Sequence, residues 1–425
     1  MSADPKASKR IIVIGAGIVG VTTALQLQAD GNSVMLLDPA APGMSTSFGN
    51  AGSISMGGVY PVSTPGNWKQ VPKMLTDPVS PLRIRWDHVL RNPGYFLRFL
   101  KEGTPGRVEA NSVAMAGIAQ EGMIAHRKLV ALCKAEDLVR PVGWLKVYSS
   151  QQSFDKTTHE REVMGRRGVN IDVLGADEIR QLEPGLSPRF THAWHQPDNG
   201  FVTSPLKLTE AYYAKFKALG GEWRAEKVQR FVTGPGGVET VNTNHDIHTC
   251  DAVVIATGAR AGELSGLLGD QTMISAERGY HLNFDVEVEG TSDGEVPLRR
   301  PTVFGDWGFV LSPMQDGLRM TTGSEFASSD AAPDFRRIYR MAKLVDQVLP
   351  GVRTKVNREW VGQRPSTPDS VPTLGRSPRH GNVWYNFGHG HLGLTMSAKS
   401  AEVLADLIGG RDPGVDMTPY RVDRF

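Results

Sequence analysis

The run Ile11-Ile12-Val13-Ile14 leads directly into Gly15-Ala16-Gly17-Ile18-Val19-Gly20, and this junction constrains the fold more than any other stretch. Four consecutive β-branched residues predict a strand buried on both faces. The glycines then predict a tight turn and the first turn of a helix, the arrangement that holds the pyrophosphate of a dinucleotide. Gly15 permits the turn, Gly17 lets backbone approach phosphate, and Gly20 lets the helix pack closely on the strand. The helix N-terminus offers unpaired N–H groups and partial positive charge to the anion. After a helical stretch, Val19–Ala29, a second apolar run, Val34–Leu37, ends in Asp38. An acidic residue about 20 positions on is where the ribose hydroxyl of such a cofactor is gripped. The pattern leaves open which dinucleotide.

Composition narrows the class. The chain has 425 residues, enough for two domains or one large one, and its 40% apolar and 22% charged fractions are those of a folded protein. A formal charge of +2 gives no electrostatic footprint for nucleic acid. The two cysteines, Cys133 and Cys250, form no CxxC and no metal-ligand spacing, so no metal site is expected and a reducing compartment fits. Met1–Arg10 is short, polar and runs at once into the first strand, so a cleaved secretory leader is not expected. No apolar run approaches the ~20 residues of a spanning helix. The expected location is the cytoplasm.

Thr46–Pro81 is rich in Gly, Ser and Pro but is interrupted by Phe48, Met56, Tyr60 and Trp68, and reads as an ordered loop system. Arg107–Leu138 has helical periodicity, with Val113, Ile118, Ile124, Leu129 and Leu132 assigned to one face. Trp144–Val147 reads as a strand, Phe154–Arg167 as a helix, and Leu206–Leu219 as a helix stopped by Gly220-Gly221. A third apolar strand runs from Asp251 into Ala256-Thr257-Gly258. Tyr280–Phe284, Gly308–Ser312 and Leu318–Thr322 have strand character, with Gln315-Asp316-Gly317 as a hairpin turn. Phe335–Leu349 returns to helix. Val383–Phe387 then leads into Gly388-His389-Gly390-His391-Leu392-Gly393 and a last helix ending near Ile408.

A nicotinamide dehydrogenase would continue with alternating strands and helices after Asp38. This chain breaks into loops, makes long helices, and returns to cofactor-like glycine segments near Ala256 and Gly388. The cofactor domain is therefore expected in separated pieces around an inserted second domain, which favours a flavin.

On these residues the chain resembles the flavin-dependent D-amino acid oxidase and dehydrogenase superfamily, above all bacterial D-amino acid dehydrogenases, with glycine and sarcosine oxidases as cousins. Four blocks carry the resemblance: Ile11–Asp38; Thr46-Ser47-Phe48-Gly49-Asn50-Ala51-Gly52; Ala256-Thr257-Gly258; and Trp360–Gly393. The most specific is Arg364-Pro365-Ser366-Thr367-Pro368-Asp369 with Pro372 and Gly375. The resemblance implies an α/β (α+β overall) fold. Residues 1–85, 168–265 and 356–425 would form a Rossmann-like FAD domain. Residues 86–167 and 266–355 would form a substrate domain built on an antiparallel sheet.

FAD is expected to be held non-covalently, because neither cysteine lies in the motif blocks; a link through a histidine is the alternative. Along it would lie Gly15 to Gly20, Asp38, Ser45, Thr46, Ser47, Asn50, Ala51, Gly52, Thr257 and Gly258. Gly388, His389, Gly390, His391, Leu392, Gly393, Leu394 and Thr395 would face the flavin, with backbone N–H groups from about Gly390 to Thr395 toward the charge it gains on reduction. Arg364 occupies the family position of the carboxylate-binding arginine, and a planar guanidinium suits a carboxylate through two parallel hydrogen bonds. Tyr280 reads equally as a hydroxyl over the substrate or as a core tyrosine. His391 stands where glycine oxidases place a pocket arginine, and for His389 and His391 structural and functional roles stand level. Trp307, Phe309 and Met314 are further pocket candidates.

The implied reaction is oxidation of a D-amino acid to an imino acid, then to a 2-oxo acid. The alternatives are a cyclic secondary amine such as a D-proline or hydroxyproline epimer, a glycine- or sarcosine-type oxidase using oxygen, and a non-catalytic flavoprotein subunit. Arg83–Lys101 mixes basic and bulky apolar residues. It reads either as helices packing the substrate domain or as a surface for an anionic membrane, which would suit electron delivery to quinone.

Overall fold

The computed structural model describes residues 8–66, 80, 82–289 and 296–425; Trp68 and Pro81 lie outside them. The N-terminal motif folds as strand β1 (Arg10–Ile14), helix α1 (Ile18–Ala29) and strand β2 (Ser33–Leu37). Four helices follow the loop region: α2 (Trp86–Arg91), α3 (Pro93–Glu102), α4 (Pro105–Ala119) and α5 (Gly122–Cys133). Strand β3 (Ala252–Ile255) runs parallel to β1, with Ile11 opposite Ala252 and Ile14 opposite Ile255. Both neighbours of β1 are parallel and Ile11 to Ile14 are all buried, which explains the unbroken apolar run.

Four strands build most of the second sheet: β4 (Ser275–Val288), β5 (Phe309–Met314), β6 (Gly317–Phe326) and β7 (Val352–Ser366). Strand β8 (Val383–Phe387) and helix α6 (Gly393–Gly409) return to the first sheet. That sheet runs Glu222–Arg224, β2, β1, β3, β8, then Thr373–Arg376, antiparallel only at its last strand. One face packs on α1, α4, α5, α6 and Pro205–Ala218. The other carries a smaller core against a three-stranded antiparallel sheet, Val228–Gly234, Gly237–Thr243 and Ile247–Thr249.

The second sheet orders β7, β4, β6, β5, Thr302–Phe304, Trp144–Tyr148, His192–Gln196 and Asp172–Gly175, with Leu82–Ile84 beside β6. It is mainly antiparallel, and β5 and β6 join through Gln315-Asp316 with Gly317 at φ +111°. Its membership shifts the expected boundaries. Asp172–Gly175, His192–Gln196 and most of β7 pair here although the sequence placed 168–265 and 356–425 with the cofactor. Helices α4 and α5, expected with the substrate part, pack in the core under the first sheet. Strand pairing between distant segments decides membership, and no local pattern encodes it.

Three helical readings need correction. Arg107–Leu138 is two helices, broken at Gln120-Glu121, where a Cβ on Gly122 would lie 2.4 Å from the Thr395 carbonyl oxygen. Ile118 and Leu129 are buried, but Val113, Ile124 and Leu132 are exposed; Val113 and Ile124 each stand five residues before the buried residue of their own helix, about 140° round its axis. Phe154–Arg167 likewise divides into Gln151–Asp155 and Thr158–Arg166, and Phe335–Leu349 into Arg336–Ala342 and Val345–Val348. Among the described residues no helix is long and apolar enough to cross a membrane.

Candidate active site

A cavity of about 890 Å³ runs from the C-terminal ends of β1 and β2 to the face of the second sheet. Its nucleotide end is built from backbone. Gly15, at φ +105°, donates its N–H to the Leu37 carbonyl at 2.8 Å, and a Cβ there would lie 2.5 Å from the Ala256 carbonyl oxygen. A Cβ on Gly20 would lie 1.7 Å from the Gly15 carbonyl oxygen, so α1 meets its own entering turn as closely as a helix can. Ser47 Oγ accepts from the Ile18 N–H at 2.9 Å, tying the loop to the start of α1. Asp38 accepts from the N–H groups of Ala16 at 2.7 Å and Ala40 at 2.8 Å. Two carboxylate oxygens have lone pairs beyond these, and Asp38 still lines the cavity.

Of the residues expected along the cofactor, only Ala16, Gly20, Gly52 and Gly388 do not line the cavity; they shape it from behind. Gly52 (φ +78°) and Gly388 (φ +82°) sit in the left-handed region, with Val202 and Thr367 against the positions a Cβ would take. The loop from Thr46 to Ala51 is held by the second sheet. Thr46 Oγ1 donates to the Gln363 carbonyl, Arg319 to those of Phe48 and Asn50, and Ser312 to that of Ala51, while His281 Nδ1 lies 3.2 Å from the Gly49 carbonyl oxygen. Burial, then the Arg319 charge, pushes His281 down to about 3.

The substrate end is built from side chains. Strand register sets Glu277 of β4 directly opposite Arg364 of β7. Arg364 Nη1 donates to Glu277 Oε1 at 3.1 Å and to the Gly323 carbonyl at 2.6 Å. The guanidinium lies against Gly279, whose missing Cβ would be 2.3 Å from Nη2. His391 Nε2 stands 2.9 Å from Glu277 Oε1, and Ser366 donates to Glu277 Oε2 at 2.8 Å. Burial alone would raise Glu277, but its contacts with His391, Arg364 and the Ser324 hydroxyl hold it far below the usual carboxylate range. Trp144, Val310 and Thr321 complete this end.

Several pocket candidates lie elsewhere. Tyr280 is not on the cavity: strand alternation points it to the opposite face from Glu277 and Gly279. There it packs edge-on against Phe335 and donates to Glu325, and burial followed by that bond pushes it up to about 12. Trp307, Phe309 and Met314 also lie off the cavity; Phe309 is buried in the core of the second sheet while its neighbour Val310 faces the site. Glu277 and Trp144 went unread in the sequence. Alternation from Gly279 to Glu277 was a signal for the first, whereas nothing local distinguishes Trp144 from a core tryptophan.

Residues 10–407 match the model of the DAO family, described as FAD dependent oxidoreductase. The chain belongs to this family of FAD-dependent oxidoreductases. A D-amino-acid oxidase of Bradyrhizobium diazoefficiens is 32% identical to the oxidoreductase over 98% of this chain and 99% of its own. A D-amino acid dehydrogenase of Chromohalobacter salexigens is 31% identical over the same shares. Among solved structures, glycine oxidase from Geobacillus kaustophilus (TM-score 0.75, 17% identity, 98% of this chain and 100% of that one) shares the fold. So does L-proline dehydrogenase from P. horikoshii (TM-score 0.72, 19% identity, 98% of each chain).

The cavity fits FAD on its own chemistry. Ser53 Oγ, Trp144 Nε1, Thr257 Oγ1, Thr321 Oγ1, Asn386 Oδ1 and His389 Nε2 are buried without hydrogen-bond partners among the described residues, and all belong to cavity-lining side chains. Each such group costs about 1–3 kcal/mol if left unpaired, so the cavity calls for a long occupant with polar groups along its length. Burial pushes His389 down to about 3, so it faces that occupant as a neutral ring. Neither cysteine lines the cavity. Among the described residues no cluster of His, Cys, Asp or Glu could hold a metal ion.

Proposed function

We propose that the oxidoreductase oxidises a D-amino acid to an imino acid, which water converts to a 2-oxo acid and ammonia. The observation that carries this reading is Arg364, presented on the cavity with Nη1 committed to Glu277 and Gly323. Nε–H and Nη2–H remain, the edge that takes a carboxylate in two parallel bonds. The flavin, when bound, supplies the electron sink that accepts hydride from the α-carbon. The chain's own work is to fix the carboxylate at Arg364, aim the α-hydrogen, and exclude bulk water with Trp144, Val310 and Leu392. The N-terminus of α6, with Gly393, Leu394 and Thr395 on the cavity, offers backbone N–H groups to negative charge. The D-specific names of the relatives at about 30% identity favour a D-amino acid over the L-amino acids named for some fold neighbours.

Anaerobic mixing of the purified yellow protein with paired D- and L-amino acids, proline derivatives included, tests this. Bleaching of the flavin band by D-enantiomers is the expected result. Bleaching by L-enantiomers alone would refute the handedness, and bleaching by cyclic amines alone would move the substrate to a secondary amine.

We further propose that electrons leave to a membrane quinone, from a cytoplasmic enzyme resting on the inner membrane face through α2 and α3. Trp86, Leu90 and Leu97 are 64%, 79% and 68% exposed there, beside Arg91 and Lys101. Apolar side chains flanked by cations suit an anionic bilayer. Co-sedimentation with anionic vesicles, weakened by salt and lost in Leu90→Glu/Leu97→Glu, is expected; identical sedimentation of the variant would remove the assignment.

A further inference from the structure

One buried carboxylate joins the two cavity side chains on which the proposed reaction turns. Glu277 is almost wholly buried, and its carboxylate meets Arg364, His391, Ser324 and Ser366, each through a polar contact of 3.1 Å or less. A buried charge persists only when paired and hydrogen-bonded in this way. The pairing also has a direction. With Nε2 facing the carboxylate, that nitrogen carries the proton in neutral His391, and Nδ1 keeps the free lone pair. Among the described residues Nδ1 has no partner, and the ring lines the cavity.

Oxidation of an amino acid by hydride loss requires a neutral amine, yet an α-amino acid is mostly an ammonium ion at neutral pH. We propose that Glu277 is the positioning residue of the site. It sets the plane of Arg364 for the substrate carboxylate and holds His391 so that Nδ1 takes the proton of the substrate ammonium. The step balances: the N–H bond of the ammonium breaks, its electron pair stays on the amine, and an Nδ1–H bond forms. The imidazolium is then stabilised by Glu277 at Nε2, and the part-exposed ring passes the proton to solvent. Carboxylate-oriented histidines act as general bases by this division of labour. The charged groups at His391 are Glu277 of β4, which faces Nε2, and Arg364 of β7, which shares that carboxylate; Tyr95 of α3 lies within electrostatic range of Glu277. Glu277 faces Nε2 and shares its carboxylate with Arg364, so Glu277→Gln removes the group that holds both side chains.

The inference rests on the proposed amino acid oxidation, and its test separates the two. Flavin bleaching at saturating D-amino acid is followed anaerobically across pH in the holoenzyme, His391→Gln and Glu277→Gln, with flavin content and melting temperature checked for each. Wild type should speed up with pH along a single acid limb. His391→Gln should be about 100-fold slower at neutral pH and recover at alkaline pH, where the amine arrives deprotonated. Glu277→Gln should displace the acid limb and weaken binding of propionate, read from the flavin spectrum, by about tenfold. Superimposable limbs in all three proteins, or a slow His391→Gln that alkali does not rescue, would overturn the base role. Propionate binding that weakens with rising pH in wild type but not in His391→Gln would instead make His391 a cation for the carboxylate, and also overturn it. If no amino acid bleaches wild type, the proposed reaction fails first and takes this inference with it.

Discussion

The two ends of the cavity are built by opposite means. At the nucleotide end the chain removes side chains: Gly15 and Gly20 sit where any Cβ would collide with backbone. At the substrate end it concentrates side chains, with Glu277, Arg364 and His391 converging from two strands and a loop. Backbone recognition tolerates no bulk but asks nothing of distant residues. Side-chain recognition depends on register across β4 and β7, where a one-residue slip would turn Glu277 and Arg364 to opposite faces.

The largest expected effect breaks the nucleotide end alone. Gly20→Ala places a methyl on the Gly15 carbonyl, so overpacking should cost about 3 kcal/mol or more and give a colourless protein. Flavin content by absorbance decides it, and a fully yellow variant would mean the turn relaxes where its geometry says it cannot.

Next comes the seam between the ends. His281 is held down to about 3, against 6.5 when unfolded. Between those values the unfolded chain binds a proton that the folded chain refuses, so this contribution is neutral above pH 6.5 and becomes a loss as pH falls. From pH 6.5 to 5 it amounts to about 2 kcal/mol. Melting temperature against pH should therefore be less steep in His281→Gln than in wild type; equal slopes would remove His281 as the cause.

Arg364→Lys isolates the substrate end. It should raise KM for the amino acid at least tenfold, about 1.4 kcal/mol, while flavin content stays full. Loss of flavin together with KM would show that the two ends are not separable. The smallest effect is expected for Tyr280→Phe. It loses a bond to Glu325 on the far face of the sheet, so stability should fall by about 1 kcal/mol with KM unchanged. A tenfold change in KM would return Tyr280 to the substrate.

This contrast explains what could be read from the chain beforehand. The motif from β1 to Asp38, the strand ending at Ala256 and the turn before α6 were legible because their contacts are local or follow from glycine spacing. Arg364 was legible only through family resemblance. Glu277 was not read, because its meaning depends on a partner 87 residues away that only sheet register supplies. Tyr280 read equally as substrate hydroxyl or core tyrosine, a choice that needs strand alternation to decide, and the break before Gly122 goes with α6 packed against it, where a Cβ would meet the Thr395 carbonyl oxygen.

The five contacts that hold Thr46 to Ala51 against the second sheet carry a mechanical consequence. A clamshell opening between the two sheets would have to strip that loop from Arg319, His281, Ser312 and the Gln363 backbone together. The molecule is thus riveted along the line where many two-layer enzymes flex. Entry past a few side chains at the rim is the route this leaves easiest, and turnover should then depend little on solvent viscosity.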